Sequence, residues 1–193
     1  MKLTWAEFKA RGLTKAEEKL EKAYAAGRPC VLSVRRPEAA EPDCAIRAEF
    51  LRFLILGYCN EGQVPKQGVR LSGAFIEGVL DISFSTVQGP IVLKRCNLSG
   101  GLIAKQSTLE MLRLDGSVVG HLDADSAVLR GHAMMRYGFE CHGSLRLSGA
   151  TIGGVLNCDG GSFFANSSGE AIVAEQLKAT RWRVFTTWFS CLR

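Results

Sequence analysis

The segment Val69-Arg70-Leu71-Ser72-Gly73-Ala74-Phe75-Ile76-Glu77-Gly78-Val79-Leu80 returns as Leu145-Arg146-Leu147-Ser148-Gly149-Ala150-Thr151-Ile152-Gly153-Gly154-Val155-Leu156, and weaker copies fill the chain between them. A unit this short cannot bury its own apolar face, so its copies must stack into a solenoid. Pairs of apolar residues one residue apart, which a strand turns to the same side, recur about every eleven residues. Val69/Leu71, Leu80/Ile82, Ile91/Leu93, Leu102/Ala104, Leu112/Leu114, Leu122/Ala124, Ala133/Met135, Leu145/Leu147 and Leu156/Cys158 make this first ladder. A second ladder alternates with it and sets a small residue beside a large one, as in Ala74/Ile76, Cys96/Leu98, Ser117/Val119 and Ala150/Ile152. Gly68, Gly78, Gly89, Gly101, Gly120, Gly131, Gly143 and Gly154 precede the bulky pairs, where turns at positive φ are expected. The spacing predicts a mainly β fold, a right-handed parallel β-helix. It would be a four-faced solenoid of about 22 residues per coil, its coils about 4.8 Å apart.

Residues 1–67 read as an N-terminal α-helical cap and linker, and residues 68–193 as the β-helix. Thr4 with Glu7, and Thr14 with Glu17, have capping-box spacing. They predict a short helix from Trp5 and a longer one from Lys15 to Ala26, ended by Gly27. A linker rich in proline and charge runs from Arg35 to Asp43, and a third helix is expected from Ala45 to Leu56, ended by Gly57. The uncharged part of that third segment is far short of the roughly twenty residues that a membrane span needs.

No apolar leader follows Lys2, and the seven cysteines are odd in number and lack CxxC spacing. Both observations speak for a cytoplasmic chain without a disulfide framework or a zinc site. The net charge of +5 is gathered in residues 1–67 and in Lys178, Arg181 and Arg183, while the repeat body is close to neutral. That counts against a duplex mimic, and the interleaving of Lys15, Lys19 and Lys22 with Glu17, Glu18 and Glu21 favours a solvated helix face over a nucleic-acid surface.

The residues that could carry chemistry have structural readings. His121 and His132 fall on opposite sides of a coil, and His142 lies in an irregular turn. Asp123 and Asp125 alternate with inward Leu122 and Ala124, so both carboxylates are expected to face solvent on one strand, the kind of pair that carbohydrate-active β-helices use. Gly149-Ala150-Thr151-Ile152-Gly153-Gly154 lacks dinucleotide spacing, and Ser72 and Ser148 are turn residues. No catalytic, cofactor or metal site is expected.

Two surfaces remain. The outward residues of one broad face are Arg70, Val92, Arg113, Met134 and Asn157, and those of the opposite face are Asp81, Ile103, Asp123 and Arg146. Val92, Ile103 and Met134 are apolar where water is expected, which suggests a covering tail or a protein partner. At the C-terminal end the inward pattern resumes with Ile172/Ala174 and Trp182/Val184, and Phe185, Trp188 and Phe189 lie close by with no capping helix expected after them, which suggests a homodimer across an open coil end or a shortened version of a longer solenoid.

The LSGAxIxGxL copies, the Ile46-Arg47-Ala48-Glu49-Phe50-Leu51-Arg52 segment before them and the glycine-punctuated ladder resemble uncharacterised bacterial pentapeptide-like β-helix proteins. Some of those carry the label "membrane-associated oxidoreductase". The resemblance covers about Leu13 to Phe185, and it stretches the strict five-residue register of true pentapeptide repeats to alternating fives and sixes. It implies a structural repeat and brings no active-site residue with it. The favoured reading is a non-enzymatic scaffold or protein-interaction module that self-associates. The alternatives are a peripheral membrane-associated oxidoreductase-like protein and a carbohydrate-active β-helix using Asp123 and Asp125.

Overall fold

A computed structural model describes residues 5–57 and 66–183. Its body is a parallel β-solenoid of five coils, each coil built from four short strands. The first face stacks Val69–Ser72, Ile91–Lys94, Leu112–Arg113, Ala133–Met134 and the second half of Thr151–Asn157. The second stacks Phe75–Glu77, Asn97–Leu98, Val118–Val119, Glu140–Cys141 and Ser162–Phe163. The third stacks Leu80–Asp81, Leu102–Ile103, Leu122–Asp123, Leu145–Arg146 and Ile172–Val173. The fourth stacks Thr86–Val87, Thr108–Leu109, Val128–Leu129, the first half of Thr151–Asn157 and the start of Lys178–Arg183. Val69 pairs with Ile91, Ile91 with Leu112, Leu112 with Ala133 and Ala133 with Leu156, so a coil takes 22, 21, 21 and 23 residues in turn.

Side chains alternate in and out, and every pair of the first ladder from Val69/Leu71 to Leu156/Cys158 is buried. Leu71, Leu93 and Leu114 rise above one another along one dry axis. The small positions of the second ladder let the corner tuck inward. Where they are serine, the hydroxyl replaces lost water: Ser117 Oγ donates to the Leu93 carbonyl at 2.9 Å and accepts from the Cys96 N–H at 2.9 Å. Phe139 and Cys141 reverse the small-then-large order, and the coil above answers with Gly161 over Phe139 and Phe163 over Cys141. The two phenylalanine rings lie 5.7 Å apart.

The corners follow the expectation only in part. Gly68, Gly78 and Gly101 are at positive φ and Gly89 is not, nor are Gly120, Gly131, Gly143 and Gly154. The last four are glycine because the coil below comes too close: a Cβ on Gly131 would sit 2.7 Å from the Glu110 carbonyl oxygen, and one on Gly154 would sit 2.8 Å from that of Gly131. Further left-handed residues form two other columns. One is Gly73, Arg95, Gly116, Tyr137 and Gly160, after the first face, and the other is Phe84, Gln106, Ser126, Gly149 and Gln176, after the third. Six of these ten carry a side chain, so stacking enforces a backbone state that costs an L residue about 1–2 kcal/mol.

The N-terminal segment seals one end. Helix α1 spans Trp5–Ala10, α2 spans Lys15–Ala25 with the full Thr14/Glu17 capping box, and α3 spans Ala48–Leu56 with Gly57 left-handed behind it. Thr4 lies outside the described residues. The expected helix start at Ala45 is corrected: Ala45–Arg47 is a strand in register with Phe75–Glu77, and Cys30–Val31 likewise extends the first face against Leu71 and Ser72. Arg47, extended, is the N-cap of α3, because the sheet hydrogen bonds claim its neighbours before the helix can. Faces one and two thus gain a further layer of strand, while α3 packs against Leu80–Asp81 and Thr86–Val87 on the other two. Trp5, Phe8, Phe50 and Phe53 make an aromatic cluster between α1 and α3.

Between the two cap strands the Pro-rich linker runs out along the solenoid. Asn97 donates to the Pro37 carbonyl at 3.1 Å, and Arg36 donates to Glu140 at 2.8 Å, four coils from where the linker departs. Glu140 also meets His142 at 2.9 Å.

Candidate interaction surfaces

Two columns of outward side chains build the first face. Arg70, Val92, Arg113, Met134 and Asn157 are in register in one, and Ser72, Lys94, Asp115, Arg136 and Asp159 in the other. Asp115 is only 6% exposed and receives Arg113 and both Nε (3.1 Å) and Nη2 (3.0 Å) of Arg136. Burial works to raise the Asp115 pKa, but hydrogen bonds from Arg136 and Arg113 outweigh it and hold the carboxyl below its ordinary value. Val92 and Met134 are half-buried between these long polar chains, whose stems cover apolar surface. Arg70 donates to the Gly27 carbonyl at 2.6 Å, tying the face to the cap.

The third face carries the carboxylate pair. The expectation that Asp123 and Asp125 both face open solvent is corrected, since Asp123 is buried beneath cations. Lys105 reaches it at 3.0 Å and Arg146 at 3.8 Å, and Arg146 Nη2 pairs with Asp125 at 3.0 Å. Asp125 also accepts the Ser148 N–H at 2.8 Å. Both carboxylates are committed to ion pairs between coils. Ile103 lies half-buried in the same column, between Asp81 and Asp123.

His121 stands at the corner between faces two and three and fills the space over Gly101, where a Cβ would collide with its ring. His132 stands at the opposite corner, its Nδ1 accepting the Val155 N–H at 2.9 Å. Among the described residues no three His, Cys, Asp or Glu side chains converge as metal ligands. The thiols of Cys96 and Cys158 are pushed up to about 12 and that of Cys141 up to about 11, burial being the main cause. At neutral pH they are protonated core groups rather than nucleophiles.

The fifth coil ends the described stack. Leu156, Cys158 and Phe163 are still buried, but the inward positions that follow them are open: Ile172 is 39% exposed, Ala174, Leu177 and Ala179 are half-buried, and Trp182, stacked on Leu156, is 49% exposed. Lys178–Arg183 pairs only with Thr151–Asn157 among the described residues. Phe185, Trp188 and Phe189 lie outside the described residues. Sequence reasoning missed Lys94, Arg95, Arg136 and Asp115, because they occupy the ends of strands and the corners, where the ladder has no rule.

No known family model, curated protein or solved structure matches the chain. Its class is therefore the one its fold defines, a parallel β-solenoid with an N-terminal helical cap. Among the described residues no helix is long and apolar enough to cross a membrane.

Proposed function

We propose that this chain is a non-enzymatic β-solenoid scaffold, of the bacterial pentapeptide-like kind that its LSGA copies resemble, and that it self-associates through the C-terminal end of the coil stack. One observation carries the reading: the two ends are unlike. Helices seal the first, while at the other Ile172 and Trp182 are exposed, Leu177 is half-buried, and Lys178–Arg183 has no second strand beside it among the described residues. Exposed apolar side chains next to open backbone groups are a template for pairing. With one end blocked, the open end of one copy can meet only the open end of another, which gives a closed twofold pair and not a fibre. The free, buried thiols Cys30, Cys44, Cys96, Cys141 and Cys158 suit a reducing compartment, so the scaffold belongs in the cytoplasm.

Size-exclusion chromatography with light scattering tests it. The wild-type chain is expected at twice its 21.0 kDa mass, and Trp182→Glu at the monomer mass with unchanged circular dichroism. A wild-type monomer at high protein concentration, or a Trp182→Glu variant that stays dimeric, overturns the proposal.

A further inference from the structure

The near-neutral repeat body hides a segregation of charge. Eight Lys and Arg residues lie between positions 68 and 177. Lys105, Arg130 and Arg146, on the third and fourth faces, each have a carboxylate partner: Asp123, Glu110 and Asp125. The other five, Arg70, Lys94, Arg95, Arg113 and Arg136, are on the first face and the corner that follows it. There Asp115 is shared by Arg113 and Arg136, Asp159 stands beyond Arg136 in the same column and acts on it, and neither Lys94 nor Arg95 has a carboxylate partner among the described residues, so five cations face two carboxylates.

The arrangement is built rather than loose. Asp115 fixes two guanidinium planes side by side and, by taking only Nε of Arg113, leaves the terminal nitrogens of that residue with no partner among the described residues. Lys94 lies next to Asp115 in the same column. Arg95 leaves the corner with its stem over Gly116, where a Cβ would stand 3.2 Å from Arg95 Cγ and 3.3 Å from the Tyr137 carbonyl oxygen. Tyr137 is 69% exposed and is held in a left-handed conformation, with the Arg136 guanidinium 4.6 Å from its ring. The crowding is felt by the lysine. Burial first, and then Arg113, Arg95 and Arg136, pull its pKa below the usual value.

We infer that this corner, formed by Lys94, Arg95, Arg113 and Arg136 across coils two to four, is a binding site for an anion bearing adjacent phosphate groups. Guanidinium forks held in place lose little freedom on taking a phosphate, and an ammonium supplies a compact charge beside them. A single carboxylate would leave most of this positive charge uncompensated, whereas linked phosphates can span from Lys94 to Arg136 across successive coils about 4.8 Å apart. Free polyphosphates and the headgroups of phosphorylated inositol lipids share this chemistry.

The test uses the full chain and calorimetric titration with inorganic tripolyphosphate at low ionic strength. Lys94→Ala combined with Arg95→Ala is the informative variant, because neither side chain has an ion-pair partner that its loss would strand. The double variant is expected to weaken binding by roughly tenfold or more, while Lys105→Ala, on the third face, leaves it unchanged. In a parallel arm the chain is sedimented with vesicles containing phosphatidylinositol bisphosphate. Pelleting that depends on Lys94 and Arg95 assigns the lipid headgroup as the source, and tripolyphosphate binding without pelleting assigns a free anion. Failure to bind either probe, or equal binding by wild type and a folded double variant, overturns the site.

Discussion

Glu17 and Asp115 show how single buried carboxylates organise this chain. Glu17 is fully buried, and its two oxygens accept the Thr14 N–H, the Arg47 N–H and the Arg47 guanidinium. One residue thereby serves as helix cap and as clasp between α2 and the cap strand Ala45–Arg47. The capping box was legible in the sequence because its partners are three apart; the clasp was not, because Arg47 is thirty residues away. Asp115 acts in the same way on the first face, and Glu140 does so beside the linker, where His142 and then Arg36 draw its pKa down against the effect of burial. Both carboxyls have folded values below their ordinary ones, so the unfolded chain binds protons first as the pH falls. Their stabilisation is present above about pH 4–5, and it disappears as the pH drops through the lowered folded values. Thermal unfolding followed from pH 6 to pH 3 is expected to show a falling midpoint below that window. Asp115→Asn should be less stable at pH 6 and should lose less on acidification.

Strands of two residues leave little room for propensity, so the elements here are defined at their corners. The inward ladders were readable because period-2 burial survives in even the shortest strand. The turn chemistry is legible only in part, as at Gly68, Gly78 and Gly101, because glycine has two uses: at Gly131 it makes room for a carbonyl of the coil below, and at Gly73 and Gly149 it takes a left-handed conformation. Arg95, Gln106 and Ser126 take the same conformation without being glycine, and nothing in their identity announced it. Substitutions should separate the two roles. Gly131→Ala places a Cβ 2.7 Å from the Glu110 carbonyl oxygen and is expected to cost roughly 1–3 kcal/mol. Gln106→Gly relieves about 1–2 kcal/mol of left-handed strain and gives back about 0.4–1 kcal/mol of unfolded-chain entropy. A slightly raised unfolding midpoint is the expected result. Chemical denaturation of both variants checks the contrast, and equal losses would show that the corner tolerates no change of either kind.

At the scale of the molecule, net charge concealed more than it told. The repeat body averages to near neutrality only because basic groups on the first face are offset by carboxylates on the others, and the face to which a residue belongs is a property of the coil rather than of the local sequence. The linker was equally opaque. Arg35–Asp43 has no periodicity, yet it connects the cap to coil two through Asn97 and to coil four through Glu140.

That crossing makes the linker a measuring rod. Most solenoids gain or lose coils freely, since each layer meets only its neighbours. Here Pro37 and Arg36, adjacent in the chain, must reach sites two layers apart. Excising residues 112–132, a seam that keeps Met111 followed by Ala133 in register, should leave a folded four-coil stack whose rod no longer fits. Trypsin should then cut after Arg35 faster than it does in the parent chain; equal protection would mean that the rod does not measure. If it does, the number of layers is fixed from outside the stack, and drift by duplication, the usual route by which such folds lengthen, is closed to this one.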